Sequence, residues 1–427
     1  MENRYDKYKD SGIAWIGVIP EHWEVCKLST LFFQHKQRNN DTQESNLLSL
    51  SYGNIKKKDI NTSEGLLPES FENYNIIDKD DIVFRLTDLQ NDKKSLRSAL
   101  CRERGIITSA YVTIRKRGNV NSSYFNYLFR AYDECKVFYG LGDGVRQGMN
   151  FDDLRKLEIL LPQQIIQQAI ADYLDRRCSE IDDLIALQEE MITKLQSYKQ
   201  SVITEAVTRG LDKNVPLKDS GIDWIGKIPE HWSRNKIVRL FSIIGSGTTP
   251  KSNKEDNYIG SINWIQSGDI NGGYIENCKN TISKTVLKEY SALKIYKAPF
   301  IIVAMYGASV GNISISKIDG CVNQACCVMN DTEQNFRYLF YSIISVKNYL
   351  IYKAEGGGQP NISQDKIKNT WLPIPPLTEQ QAIADYLDQR CSEIDELIAL
   401  KQQKIEKLKE YKKSLIFECV TGKRKVS

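Results

Sequence analysis

Three histidines in 427 residues leave little material for acid–base catalysis or metal binding. The ten cysteines are scattered, and the only close pair is Cys326-Cys327. Without a Cys-x-x-Cys pair, a structural zinc site is not expected. Such cysteines read as buried free thiols in a reducing compartment. No stretch approaches the roughly 18–20 apolar residues that span a bilayer. Met1–Asp10 is polar and charged, unlike a secretory signal. A cytoplasmic protein with no membrane partner is expected.

Nucleotide and catalytic signatures are missing too. Gly245-Ser-Gly-Thr-Thr-Pro-Lys-Ser252 approaches a phosphate-binding loop, but Pro250 stands where the second glycine belongs. Gly356-Gly-Gly358 runs into Gln359-Pro360, which does not open a dinucleotide-binding helix. The Asn/Asp-Pro-Pro-aromatic motif of amino methyltransferases is absent. A Ser-His-Asp triad needs His22, His35 or His231, and the first and last are repeated residues of a shared framework. Asp80-Asp81 and Asp182-Asp183 lack a matching lysine constellation. The chain is read as non-catalytic, with no cofactor or metal of its own.

What is present is a duplication, the first thing to seek in a chain of this length. Lys9-Asp-Ser-Gly-Ile-Ala-Trp-Ile-Gly-Val-Ile-Pro-Glu-His-Trp23 returns as Lys218-Asp-Ser-Gly-Ile-Asp-Trp-Ile-Gly-Lys-Ile-Pro-Glu-His-Trp232. Gln168–Leu187 returns as Gln381–Leu400 with 18 of 20 positions identical. Between these frames, residues 26–140 and 235–350 show little similarity. A fixed frame with two variable bodies suits a reader of two different targets better than an enzyme. Trp15, Trp23, Trp224, Trp232, His22 and His231 read as packing residues of the frame.

The second repeat has helical periodicity. Apolar residues at Ile181, Leu184, Ile185, Leu195, Tyr198 and Val202 step by threes and fours, as do Ile394, Leu397, Ile398, Leu408, Tyr411 and Leu415. Pro375-Pro376 stops the preceding strand, and Thr378 with Gln381 fits a capping box. Each segment is about 40 residues and thus about 60 Å long. A single apolar stripe needs a partner. The simplest partner is the other copy, in an antiparallel coiled coil about a pseudo-two-fold axis. The N-terminus then sits near the end of the second helix.

Charge follows the same division. Residues 166–207 carry four basic and eight acidic residues, whereas 208–378 carry twenty and fourteen. Lys93–Arg117 holds eight basic residues and one acid, Glu103. Excess positive charge outside the helices is what a nucleic-acid reader would show, although a solvated basic face gives the same count. The bodies read as α/β. Ile82–Arg85, Ala110–Arg115 and Phe300–Met305 are rich in β-branched and aromatic residues and are predicted strands.

In sum, the chain resembles the specificity subunit of type I restriction–modification systems. The strongest stretch is Glu355-Gly-Gly-Gly-Gln-Pro-Asn-Ile-Ser363, followed by Leu372-Pro-Ile-Pro-Pro-Leu-Thr-Glu-Gln-Gln-Ala-Ile383. Gly247-Thr-Thr-Pro250, Tyr306-Gly-Ala-Ser-Val-Gly311 and Val322-Asn-Gln-Ala325 also look like parts of that family's recognition domains. Copy one departs from the pattern: Gly144–Asn150 replaces the glycine-rich segment, and Leu161–Gln168 lacks the paired prolines and the glutamate.

The resemblance implies an α/β (α+β) fold. Residues 1–165 and 209–378 form target-recognition domains, and residues 166–208 and 379–427 form long helices, the second with a basic tail. It implies binding to double-stranded DNA and to two methyltransferase subunits. Those subunits carry S-adenosylmethionine, and motor-nuclease subunits join the full complex. Two short half-sites are read at a spacing set by the helices, about one turn of roughly 34–36 Å or a multiple of it. Phosphate contacts are expected from Lys93, Lys94, Arg97, Arg146, Lys251 and Lys254. Base contacts are expected from Arg85, Arg102, Gln147, Gln266, Tyr306, Gln324 and Gln359. Two other readings stay open: a two-headed adaptor for proteins, and a fused nuclease.

Overall fold

The computed structural model describes residues 4–40, 42–59, 70–87, 96–140, 148–251, 255–354 and 361–426. Four helices of ten residues or more occur among them: α1 (Ser122–Glu134), α2 (Gln164–Arg209), α3 (Phe336–Ser345) and α4 (Leu377–Val420). The chain forms two compact units, residues 1–189 with 402–427, and residues 190–401. The boundaries thus fall inside both long helices rather than at their ends.

The first unit is built on a four-stranded antiparallel sheet. Its order is Phe32–Gln34, Val112–Lys116, Ile82–Phe84, Ser98–Leu100. Two of the predicted strands are present here, each shifted by a residue or two at its ends. α1 lays its aromatic face on this sheet. Phe32, Phe84, Phe125, Phe129 and Phe138 are buried together, with Phe84 and Phe129 5.1 Å apart and edge-on. Asn121 starts α1 by accepting the Tyr124 N–H at 2.9 Å.

The second unit has a five-stranded mixed sheet in the order Ile243–Gly245, Cys326–Asn330, Phe300–Ala304, Ile313–Ser316, Tyr274–Ile275. A three-stranded sheet beside it places Ile262–Ile265 parallel to Cys321–Val322. Asn335 starts α3 as Asn121 starts α1, accepting from Tyr338 N–H at 3.0 Å.

The repeated Lys-Asp-Ser-Gly-Ile segment forms the same hairpin twice, Tyr8–Asp10 with Val18–Pro20 and Leu217–Asp219 with Lys227–Pro229. Asp10 and Asp219 accept the Gly12 and Gly221 N–H groups at 3.0 and 2.8 Å, and both glycines have positive φ. Trp23 and Trp232 are buried beneath these hairpins. The N-terminal hairpin lies at the end of α4. Trp15 packs on Phe417, and a side chain at Gly422 would strike Pro20.

The long helices pair in each unit. In the first, Leu174, Cys178 and Ile181 of α2 share a core with Leu415, Ile416 and Cys419 of α4. In the second, Val202, Ile203 and Ala206 of α2 share a core with Ile383, Leu387 and Cys391 of α4. The chain direction is antiparallel, since Asp182 meets Lys412 and Lys199 meets Asp395.

The apolar stripe is narrower than its periodicity suggests. Ile181, Val202, Ile394 and Leu415 are buried, and Ile185, Leu195, Ile398 and Leu408 are half-buried. Leu184 and Leu397 are 44% and 48% exposed and lie outside the buried seam, which corrects their assignment to it, whereas Tyr198 and Tyr411, also exposed, meet Arg390 and Arg177 of the opposite long helix at its rim. A two-helix seam covers only the inner positions of each turn. The expected capping box is also replaced. α4 begins at Leu377, so Thr378 already lies in its first turn. Gln380 folds back onto the Pro375 carbonyl at 2.8 Å instead. Among the described residues, no helix is long and apolar enough to cross a membrane.

Candidate nucleic-acid interface

In the second unit three sequence motifs converge on one exposed glutamine. Gln324 follows the strand Cys321–Val322, whose parallel neighbour ends at Ile265. Asn323 N–H donates to the Ile265 carbonyl at 3.1 Å, which keeps the two strand ends together. Gln266, half-buried, therefore emerges beside the segment carrying Gln324. The ends of parallel strands are where open α/β sheets bind ligands.

The Gly247–Pro250 loop closes over this point. Thr249 Oγ1 donates to Gln324 Oε1 at 2.5 Å, and Ser246 Oγ donates to the Gln324 carbonyl at 3.4 Å. Gly247 makes the approach possible: a Cβ there would lie 1.8 Å from the Val322 carbonyl oxygen. Tyr306 comes from the segment after Phe300–Ala304 and lies beside the Gln324 side chain. Burial raises the Tyr306 phenol above its usual range, with the Gln324 side chain opposing the shift. Ser309 Oγ donates to the Ser267 carbonyl at 2.6 Å, tying the glycine-rich turn to the Gln266 segment. Lys251 is exposed two residues beyond Thr249.

Four expected contacts of the second body, Lys251, Gln266, Tyr306 and Gln324, thus lie on segments that the fold joins. Lys254 and Gln359 lie outside the described residues. Thr249 and Ser309 were not singled out as site residues. The motifs Gly247–Pro250 and Tyr306–Gly311 contained the signal, because each holds a hydroxyl beside a glycine that permits close approach.

The first body gives less. Lys93, Lys94, Arg146 and Gln147 lie outside the described residues. Arg97 is fully buried: its backbone N–H donates to Asp133 Oδ2 at 2.7 Å and its Nη1 to the Thr87 carbonyl at 3.0 Å. It is a core residue, not a phosphate contact. Arg102 is exposed and lines a polar cleft with Asn126, Arg130 and Asp175. Arg85 is half-buried at the end of its strand.

Three described members of the basic run up to Arg117 are held in ion pairs. Arg115 holds Asp78 and Asp81 at 2.7 Å, Arg104 holds Asp78 and Glu44, and Lys116 meets Asp80 at 3.3 Å. Burial raises the Asp78 carboxyl, but its bonds to Arg115 and Arg104 outweigh this and hold it below the usual range. His35, Asp78 and Asp81 offer ligand atoms within 4.8 Å of one another. Because Arg115 already grips both carboxylates, the cluster is an ion-pair network. Lys56, Lys57 and Lys58 are exposed on and just beyond the strand Asn54–Lys57, a positive edge that three consecutive lysines signalled.

The sequence matches the family model of the type I restriction modification DNA specificity domain over residues 20–196 and 229–410, and the chain belongs to that family. It is 25% identical over 429 residues to a Methanocaldococcus jannaschii protein named for the type I restriction enzyme MjaX specificity subunit, covering 96% of both chains. It is 27% identical over 243 residues to the type I restriction enzyme EcoBI specificity subunit of Escherichia coli, covering 54% of this chain and 50% of that one. Among solved structures, a chain from a type I restriction–modification system has the same fold, with a TM-score of 0.69 at 16% identity over 94% of this chain and 98% of that one. The resemblance drawn from the duplicated helices and the Leu-Pro-Ile-Pro-Pro segment therefore holds.

Proposed function

We propose that this specificity subunit reads a bipartite, asymmetric duplex target, one half-site per body, and contributes no catalysis itself. The observation that carries this reading is the contrast between frame and bodies. The same hairpin, helix cap and helix pairing occur twice, while one body is built on a four-stranded antiparallel sheet and the other on a five-stranded mixed sheet. Two unlike bodies present unlike side chains, and unlike side chains read unlike base edges. The long helices set the separation of the half-sites.

Methylation and cleavage belong to partners in this reading. Two methyltransferase subunits, which carry S-adenosylmethionine, dock on the frame, and motor-nuclease subunits complete the assembly. The exposed acidic positions of α2 and α4 suit a basic docking surface.

Binding of a fluorescent duplex by the full chain with its companion methyltransferase subunit, titrated with salt, tests the DNA role. A steep loss of affinity with rising salt is expected, because phosphate neutralisation releases counterions. Absence of duplex binding at low salt favours the protein-adaptor reading.

A further inference from the structure

We propose that Gln324 is a base-reading side chain of the second body, that it reads adenine in the major groove, and that Thr249 and Tyr306 are positioning residues for its carboxamide. This inference rests on the DNA-reading role proposed above.

An exposed glutamine samples many rotamers, and ordering it on binding costs side-chain entropy. Gln324 is exposed but already anchored. Thr249 holds Oε1 at 2.5 Å, Ser246 holds the backbone carbonyl, and the Tyr306 phenol meets the carboxamide. Its loop cannot drift, since Gly247 is pressed against Val322 and Asn323 is bonded to Ile265. Preorganisation of this kind is what a recognition side chain requires.

The remaining bonding capacity selects the base. A carboxamide has two acceptor lone pairs and two N–H donors. Thr249 takes one lone pair. With Oε1 so held, the amide nitrogen is the group left to meet the Tyr306 oxygen. One acceptor and one donor remain, on adjacent atoms. Adenine offers the complement in the major groove, N7 as acceptor and N6–H as donor. Guanine offers two acceptors there, so Oε1 would face an acceptor without a proton between them. Lys251, exposed on the same loop, is placed to take a neighbouring phosphate.

The test uses the full chain with its companion methyltransferase subunit. Competition binding is measured with target duplexes that carry each of the four base pairs in turn at every position. The wild type is expected to demand adenine at a position that Gln324→Ala relaxes by roughly ten-fold or more. Thr249→Val should relax the same position, whereas Thr249→Ser keeps the hydroxyl and the preference. Thermal unfolding and the other half-site's preferences should not move. If Gln324→Ala and Thr249→Val keep the full wild-type pattern, or relax a position that is not adenine, the inference is overturned. If the wild type discriminates at no position, the DNA-reading role falls and takes this inference with it.

Discussion

Lys412 of α4 donates to both carboxylate oxygens of Asp182 of α2, at 2.6 and 2.7 Å. Shifting each residue by 213 positions in opposite directions gives Lys199 on Asp395, at 2.8 and 2.6 Å. Other contacts are duplicated too, with the tyrosines offset by 214 positions and their partners by 213. Tyr127 donates to Asp175 and Tyr341 to Asp388, both at 2.7 Å. Tyr124 donates to the Val420 carbonyl and Tyr338 to that of Val207, both at 3.3 Å. Each body is thus held by the start of the helix that follows it and by the end of the other long helix.

Equivalence at this level has an energetic consequence. The aspartates of the two lysine pairs are more than half exposed, so each pair should contribute less than about 1 kcal/mol. Lys412→Ala and Lys199→Ala are expected to lower stability by similar small amounts in chemical denaturation. A large cost for one and none for the other would break the equivalence.

The duplication is imperfect at one buried point. Glu379 accepts from Trp232 Nε1 at 2.9 Å and pairs with His231 Nε2 at 2.7 Å. The matching position in copy one is Ile166, and among the described residues the buried Trp23 Nε1 has no acceptor. Glu379→Ala should therefore destabilise by about 1–2 kcal/mol, because it leaves the buried Trp232 indole N–H unpaired as well. Ile166→Glu should stabilise by about 0.5–1 kcal/mol by supplying the missing acceptor. Unfolding midpoints of the two variants check both signs.

The sequence made the frame legible because its chemistry is local and repeated. Asp10-Ser11-Gly12 and Asp219-Ser220-Gly221 spell the same turn, and the three- and four-residue steps around Ile181 and Ile394 spell the same helix. The glutamate missing from copy one was visible, but not that Glu379 clamps Trp232, because that contact spans 147 positions. The site was only partly legible. Gln324, Gln266 and Tyr306 were named from residue type, whereas their convergence depends on parallel strands far apart in sequence. Arg97 was misread because a buried arginine held by Asp133, the Thr87 carbonyl and the Tyr139 ring looks, in sequence, like a surface arginine.

Arg97 and Lys251 should consequently separate fold from binding. Arg97→Ala removes a fully buried side chain and should cost about 2–4 kcal/mol of stability. Lys251→Ala should leave unfolding unchanged, weaken all duplexes alike, and reduce the salt slope by about one. Paired denaturation and salt-titration experiments check this; a normal unfolding curve for Arg97→Ala would contradict the core assignment.

Asp133 gives the first unit a pH dependence. Burial pushes its carboxyl up to about 6 from the ordinary 3.8, against the opposing Arg97 N–H bond. Because the folded value lies above the unfolded one, the contribution to stability is fully present below pH 3.8 and is lost as pH rises through about 6. Asp133→Asn should flatten the stability profile between these values. An unchanged slope in that window would remove Asp133 as its source.

The central claim is that one chain carries two different readers at a set distance. Random duplexes retained by the full chain with its companion methyltransferase subunit, then sequenced, test it most directly. Two short, unlike motifs at one fixed spacing are the predicted result. A single motif, two motifs at variable spacing, or retention without any motif would contradict it.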